Sequence, residues 1–172
     1  MRFQGTCFRA HEPRFAWSPL SGEGAQLFGG RFNIAGVPAL YLALTVDGMF
    51  AEMGHGFARR FEPLTICTYD VDVSDMADLR TDALRSQAGV TMAGLACSWK
   101  LEIDNGKTPY TWTLARRLIA SGTAGILVPS FATGAKPNAT NLVLWKWGAE
   151  PPYQVRVHDP SEKLPKDGRS WE

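Results

Sequence analysis

Three segments of this 172-residue chain hold side chains whose types could do chemistry. The first is Phe28-Gly29-Gly30-Arg31-Phe32-Asn33-Ile34-Ala35-Gly36. Its glycines let backbone N–H groups approach a ligand, and Arg31 offers a planar, permanently charged fork suited to phosphate. No Gly-Lys-Ser/Thr follows, so it is not a P-loop, and it precedes a predicted strand instead of following one, which excludes a dinucleotide-binding fingerprint. An ordinary glycine-rich turn is the competing reading, and composition does not decide between the two. The second is Glu52, a carboxylate able to hold a ribose hydroxyl and to stabilise positive charge developing at an anomeric carbon. The third is Ser130, behind Val128-Pro129 at a strand end where a hydroxyl can reach into a cleft; no Gly-x-Ser-x-Gly elbow surrounds it, so a Ser/His/Asp triad is unsupported.

Other chemistries find less support. Glu52-x-x-His55 has the spacing of half a di-metal motif, but a second copy would be needed and only His11 and His158 remain, so no metal is expected. Cys7, Cys67 and Cys97 are odd in number and include no Cys-x-x-Cys pair, which suggests neither a disulfide framework nor a zinc site and points to a reducing cytoplasm. Of the six tryptophans, Trp112 lies on an apolar helix face and reads as core, while Trp145 and Trp147 share one face of a predicted strand and could be core or a stacking surface. Arg116-Arg117 reads as a solvated helix face, with phosphate contact the minority reading.

The elements that must position these residues follow from periodicity. Residues 18–37 hold too many glycine and proline breakers for a regular element and read as a long structured loop. Ala39 to Leu44 is a buried strand, and Asp47 is expected to cap a helix running to about Arg60 with Phe50, Met53 and Phe57 as its apolar stripe. On that stripe Glu52 lies roughly 130° from the centre, so a solvated carboxylate is the ordinary reading and a functional one requires a cleft beside the helix. Cys67, Tyr69, Val71 and Val73 alternate with polar residues as in a half-buried strand. A helix is indicated from Ala77 to Gln87, and a stronger one from Thr111 to Ser121 with Gly122 just past its end. Gly125 to Pro129 and Asn141 to Trp147 read as strands; Gly148 to Pro152 breaks the pattern before a last strand, Tyr153 to His158, and a polar tail expected to fray. Strands outnumber helices in a mixed order, which favours α+β.

Composition bounds the partners. Hydrophobic residues make up 45% and charged residues 20%, with 18 Lys+Arg against 17 Asp+Glu, which excludes a disordered acidic chain and offers no basic excess for binding duplex nucleic acid. The N-terminus carries no apolar leader and no stretch approaches a membrane span, so a soluble, intracellular protein is expected.

Taken together, Phe8-Arg9, Ser21-Gly22-x-Gly24-Ala25, Gly29-Gly30-Arg31-Phe32-Asn33-x-x-Gly36, Leu40-Tyr41-Leu42-Ala43, Ala51-Glu52, Val128-Pro129-Ser130 and Asn141-Leu142 resemble the RES-domain family over about Phe8 to Trp147. The arginine, glutamate and serine that name the family match Arg31, Glu52 and Ser130; Phe32 and Ala43 depart from its usual tryptophan and serine. The resemblance implies a single-domain α+β fold like that of ADP-ribosyltransferases, with mixed, mostly antiparallel sheets and flanking helices. Residues 1–150 would be the catalytic domain, and 151–172 a C-terminal strand and polar tail of the same domain. It further implies a cytoplasmic toxin of a bacterial toxin–antitoxin pair that consumes NAD+ as co-substrate without a metal. Carried over by position, Arg31 would bind the diphosphate or adjoining ribose, Tyr41 would line the nicotinamide pocket and Glu52 would grip the nicotinamide ribose. Ser130 and Asn141 would complete the polar rim, with Arg9 and Asn33 further cofactor-binding candidates. The ADP-ribose acceptor stays open between a protein side chain, phosphate and water, and Arg116, Arg117 and Lys136 could supply a phosphate subsite. The implied partner is a helix-turn-helix antitoxin of the Xre type covering the active site, with no direct contact to nucleic acid or membrane. The alternative from another class is a non-catalytic nucleotide- or sugar-binding module built on Gly29 to Gly36 and the Trp145/Trp147 face.

Overall fold

A computed structural model describes residues 1–53 and 63–169. Seven strands form one sheet: β1 (Phe3–His11), β2 (Leu40–Ala43), β3 (Thr65–Val73), β4 (Met76–Asp78), β5 (Gly125–Pro129), β6 (Thr140–Leu144) and β7 (Tyr153–Val157), in the order β4-β5-β6-β2-β1-β3-β7. All neighbours are antiparallel except β4 and β5. Six α-helices accompany it: α1 (Glu23–Phe28), α2 (Val46–Met53), α3 (Asp82–Gln87), α4 (Met92–Leu95), α5 (Trp99–Asp104) and α6 (Tyr110–Ala120). The architecture is α+β with a mostly antiparallel sheet, as expected.

The burial pattern of each strand explains its sequence. β3 buries Cys67, Tyr69, Val71 and Val73 on one face and leaves the residues between them on the other, which gives strict alternation. β5 and residues 142–144 of β6 are covered on both faces, so they read as continuous apolar runs. Leu127, Leu142 and Leu144 join the core that includes Tyr69 and Val71, whereas Ile126, Val128 and Val143 join a second core roofed by Leu79, Leu95, Leu114 and Ala115. β1 pairs with β3 over its whole length, from Phe3 opposite Val73 to His11 opposite Thr65. With β2 it meets only at Phe8 opposite Ala43 among the described residues, so the sheet is parted between these strands. That parting makes room for a cleft.

Several elements differ from expectation. The long loop of residues 18–37 contains α1, a six-residue helix held by Asn33, whose Nδ2 donates to Ala25 O at 2.7 Å. Ala77 belongs to β4, not to a helix; α3 starts later, where Thr81 Oγ1 accepts from Leu84 N at 3.3 Å as an N-cap. The cap of α2 is Thr45, whose Oγ1 accepts from Gly48 N at 3.1 Å, and not Asp47. Its buried residues are Gly48 and Met49, while Phe50 is 39% exposed, so the buried face is rotated from the expected stripe. At 100° per residue Glu52 then lies about 40° from Gly48 and about 60° from Met49, on the side facing the sheet. His55, Phe57 and the expected helix end near Arg60 lie outside the described residues. Trp145 and Trp147 fall past the end of β6 and pack into opposite cores instead of sharing a face. The segment after β7 is tied down as far as Leu164: Asp159 accepts from Lys163 N and Leu164 N, and Leu164 packs on the first core.

Candidate active site

Glu52 reaches from α2 to the strands that carry the other polar residues. Its Oε1 accepts from Ser130 Oγ at 2.5 Å and from Asn141 Nδ2 at 2.6 Å, two charge-assisted bonds that fix the carboxylate. Ser130 follows β5, where Pro129 ends the ladder and its own N–H donates to Ala139 O at 2.8 Å. Asn141 sits in β6 opposite Ala43. Its Oδ1 is buried without a partner among the described residues, because the orientation that serves Glu52 turns the oxygen away. Among these residues Glu52 Oε2 accepts no hydrogen bond, so one carboxylate oxygen is anchored and the other stays available.

Two lobes of one cleft meet at Tyr41, Glu52 and Asn141, which line both. The smaller, about 270 Å3, lies in the parting between β1 and β2 and is apolar except for these residues and Arg9. The larger, about 450 Å3, is bounded by the Gly29–Phe32 turn, Phe131 and α5. Each volume is of the order of a small-ligand pocket, roughly 300–1,000 Å3.

Each lobe holds a half-buried arginine. Arg31 donates from Nη1 to Cys97 O at 2.8 Å and Leu95 O at 3.1 Å, and its guanidinium stacks 4.8 Å from the centre of the Phe131 ring. Arg9 donates from Nη1 to Ser21 O at 3.1 Å. Burial lowers the pKa of both below the usual guanidinium value, yet an arginine stays charged at any physiological pH. Among the described residues neither has a carboxylate within ion-pair distance. A desolvated cation paired only with carbonyl oxygens favours an anionic ligand.

Tyr41 and Asn33 shape the turn that carries Arg31. Tyr41 Oη donates to Asn33 Oδ1 at 2.8 Å and accepts from Phe32 N at 3.0 Å, and burial raises its pKa well above the usual phenol range. Asn33 is fully buried and also donates from Nδ2 to Val37 O at 2.9 Å. It lines neither lobe and instead holds the turn through these bonds. A Cβ on Gly30 would fall 2.6 Å from Tyr41 Oη and 2.7 Å from Asn33 Oδ1, so only glycine fits there.

The fold thus brings Arg9, Arg31, Tyr41, Glu52 and Asn141 to one cleft, with Ser130 bonded to Glu52 but lining neither lobe. Arg116, Arg117 and Lys136 line neither lobe; Arg117 donates to Ala88 O, and Lys136 pairs with Asp47 at the surface. Among the described residues no group of histidines, cysteines and carboxylates has the arrangement of a metal site. The buried Cys7 thiol is pushed up to about 12 by desolvation and Cys67 is raised for the same reason, which makes neither a ready nucleophile. Sequence reasoning missed Lys100 and Trp99 of α5 and Phe131. Phe131 adjoins Ser130 and was within reach of that argument, but α5 buries none of its residues and left no periodic signal.

An α+β fold whose sheet is parted over a cleft, with one anchored carboxylate between two arginines that have no ion-pair partner among the described residues, defines the class. The chain belongs to the RES domain family, whose pattern matches residues 6–167. The fold is also that of a chain in the crystal structure of the M. tuberculosis MbcT–MbcA toxin–antitoxin complex, with a TM-score of 0.57 and 24% sequence identity over 92% of this chain and 84% of that one. No curated protein matches the chain.

Proposed function

We propose that this protein is the toxin of a bacterial toxin–antitoxin pair and that it cleaves the nicotinamide N-glycosidic bond of NAD+, transferring ADP-ribose to an acceptor. The observation that carries this reading is the Glu52 carboxylate, anchored by Ser130 and Asn141 at the seam of two lobes that each hold an arginine without a counter-ion among the described residues. Family membership and the likeness to a chain of a toxin–antitoxin complex support it.

NAD+ is matched to such a site by its chemistry. Its diphosphate is a dianion, suited to the larger lobe with Arg31 and Lys100, where the planar guanidinium can offer two N–H groups to phosphate oxygens. Its nicotinamide is a cationic leaving group, so bond cleavage passes through an oxocarbenium-like state that needs orientation and a nearby negative charge more than a strong nucleophile. Glu52 supplies that charge and accepts from the nicotinamide ribose hydroxyl through its available oxygen; Ser130 and Asn141 keep it in place. Tyr41 walls both lobes, and Arg9 attracts anionic groups into the smaller one. No step requires a metal.

The acceptor is a protein side chain, phosphate or water, and the cytoplasm supplies all three along with NAD+. A chain that drains NAD+ must be restrained, which fits a cognate antitoxin of the Xre helix-turn-helix type seated over the cleft. Mass spectrometry of an NAD+ reaction, with and without phosphate and cell extract, tests the proposal. Free nicotinamide is expected together with ADP-ribose, its phosphorylated form or a modified protein. Intact NAD+ in every arm would refute it.

A further inference from the structure

Two tryptophans with no place in the cleft converge on the turn that carries Arg31. Neither Trp112 nor Trp145 lines a lobe. Trp112, from α6, donates its Nε1–H to Gly30 O at 2.8 Å, and Trp145, just past β6, donates its own to Phe32 O at 2.9 Å. These carbonyls belong to the residues immediately before and after Arg31. Phe32 O has no other hydrogen-bond partner among the described residues, and Gly30 O has only a 3.5 Å contact from Asn33 N.

Trp112 therefore holds the rotation of the Gly30–Arg31 peptide unit and Trp145 that of the Phe32–Asn33 unit, while Tyr41 holds the Arg31–Phe32 unit between them. An indole suits this task because it donates only, from the rim of a rigid bicycle that packing can lock. Trp145 is 9% exposed and sits in the second core, and the Trp112 ring lies 3.4 Å from where a Cβ on Gly29 would stand. Fixing these three successive peptide planes fixes the direction of the Arg31 Cα–Cβ bond, so the guanidinium is presented at a set height over the larger lobe. Tyr41 holds the same turn from the strand side through Phe32 N, at 3.0 Å. We propose that Trp112 and Trp145 are positioning residues that aim Arg31 at the anionic part of the substrate. This rests on the reading of Arg31 as the phosphate-binding fork.

The test replaces each tryptophan by phenylalanine and, separately, by β-(3-benzothienyl)alanine, which keeps the bicycle and deletes only the N–H donor. The benzothienyl variants protect the experiment against a simple packing defect. With NAD+ as substrate, each variant should raise KM about tenfold, as when a buried acceptor loses its donor, with kcat within about threefold of the parent. In an Arg31→Ala background the same replacements should leave KM where Arg31→Ala alone puts it, because they act through that side chain. Hydrogen exchange at the Gly30 and Phe32 amides should quicken about tenfold without any ligand present. Unchanged KM and exchange in the benzothienyl variants would overturn the proposal, as would an equal rise in KM with and without Arg31. A parent protein that leaves NAD+ intact would dispose of the proposed reaction but not of this inference, which the amide exchange then decides alone.

Discussion

Replacing Glu52 by glutamine removes a charge and keeps a shape. The substitute amide oxygen can still accept from Ser130 Oγ and Asn141 Nδ2, the two bonds of 2.5 and 2.6 Å that hold the carboxylate, so the side chain stays where it is. Each bond loses its ionic character, a weakening of about 1 kcal/mol, while the half-buried carboxylate no longer has to be partly desolvated, so the two effects offset in stability. The urea midpoint should move little. The effect on chemistry is larger. A full charge about 4 Å from a developing oxocarbenium contributes about 4 kcal/mol at an effective dielectric constant near 20. Because the nicotinamide ring is cationic already in the bound substrate, only the share that grows as charge moves onto the ribose counts, about 2–4 kcal/mol. That predicts a fall in kcat of roughly 30- to 1,000-fold.

Arg31, Tyr41 and Lys100 are untouched by this change, so KM should stay within about threefold of the parent. Release of nicotinamide, followed by chromatography over a range of NAD+ concentrations, separates the two parameters. A loss in kcat below about fivefold, or a loss confined to KM, would refute the electrostatic role given to Glu52.

Ser130→Ala deletes one of the two charge-assisted bonds on Glu52 and should lower kcat about tenfold with little change in KM, read in the same assay. Asn33→Ala should cost about 2–4 kcal/mol of unfolding free energy by urea titration, because Tyr41 Oη, Ala25 O and Val37 O all lose a buried partner; a loss below 1 kcal/mol, on that same estimate, would deny Asn33 its positioning role. His11 is held neutral at a pKa of about 4, first by burial and then by the neighbouring Arg9. Its unfolded value is near 6.5, so between those two values the unfolded chain binds more protons and stability falls as pH falls, by at most about 3 kcal/mol. Comparing urea midpoints at about pH 7.5 and 4.5 should show a smaller drop in His11→Gln than in the parent, and equal drops would contradict this account.

β2, β3, β5, β6 and β7 were legible because their burial imposes a pattern; β1, whose burial does not alternate, and the three-residue β4 were not. β3, covered on one face, alternates; β5 and residues 142–144 of β6, covered on both, run apolar without a break. α6 was legible from its apolar stripe and from Gly122, whose φ of 85° suits a glycine past a helix end. What escaped is short or set by tertiary contacts. α1, α4 and α5 have six, four and six residues, too few for a period to emerge. The Thr45 cap turned the buried face of α2 towards Met49, and that rotation moved Glu52 from an apparent solvent position to the seam of the cleft. Order along the chain pointed to Arg31, Glu52 and Ser130, but not to the bonds among them, since Ser130 and Asn141 lie 78 and 89 residues from the carboxylate they hold. Likewise no spacing reveals that β1 and β2 part beyond Phe8.

The net charge of +1 conceals a division of labour. Arg2, Arg14, Arg80 and Arg169 each pair with an aspartate or glutamate at the surface, where such pairs contribute little. Arg9 and Arg31 pair with none among the described residues, and both are sheltered from water. In the proposed reaction the anionic groups they attract carry the same charge before and during bond cleavage, so these arginines act on ground state and transition state alike. Their loss should therefore fall on KM. The charge that appears on the ribose as nicotinamide leaves is felt at the seam of the lobes, where Glu52 stands. Affinity and rate are thus assigned to different side chains, and kinetics of Arg31→Ala beside those of Glu52→Gln should separate along those two axes.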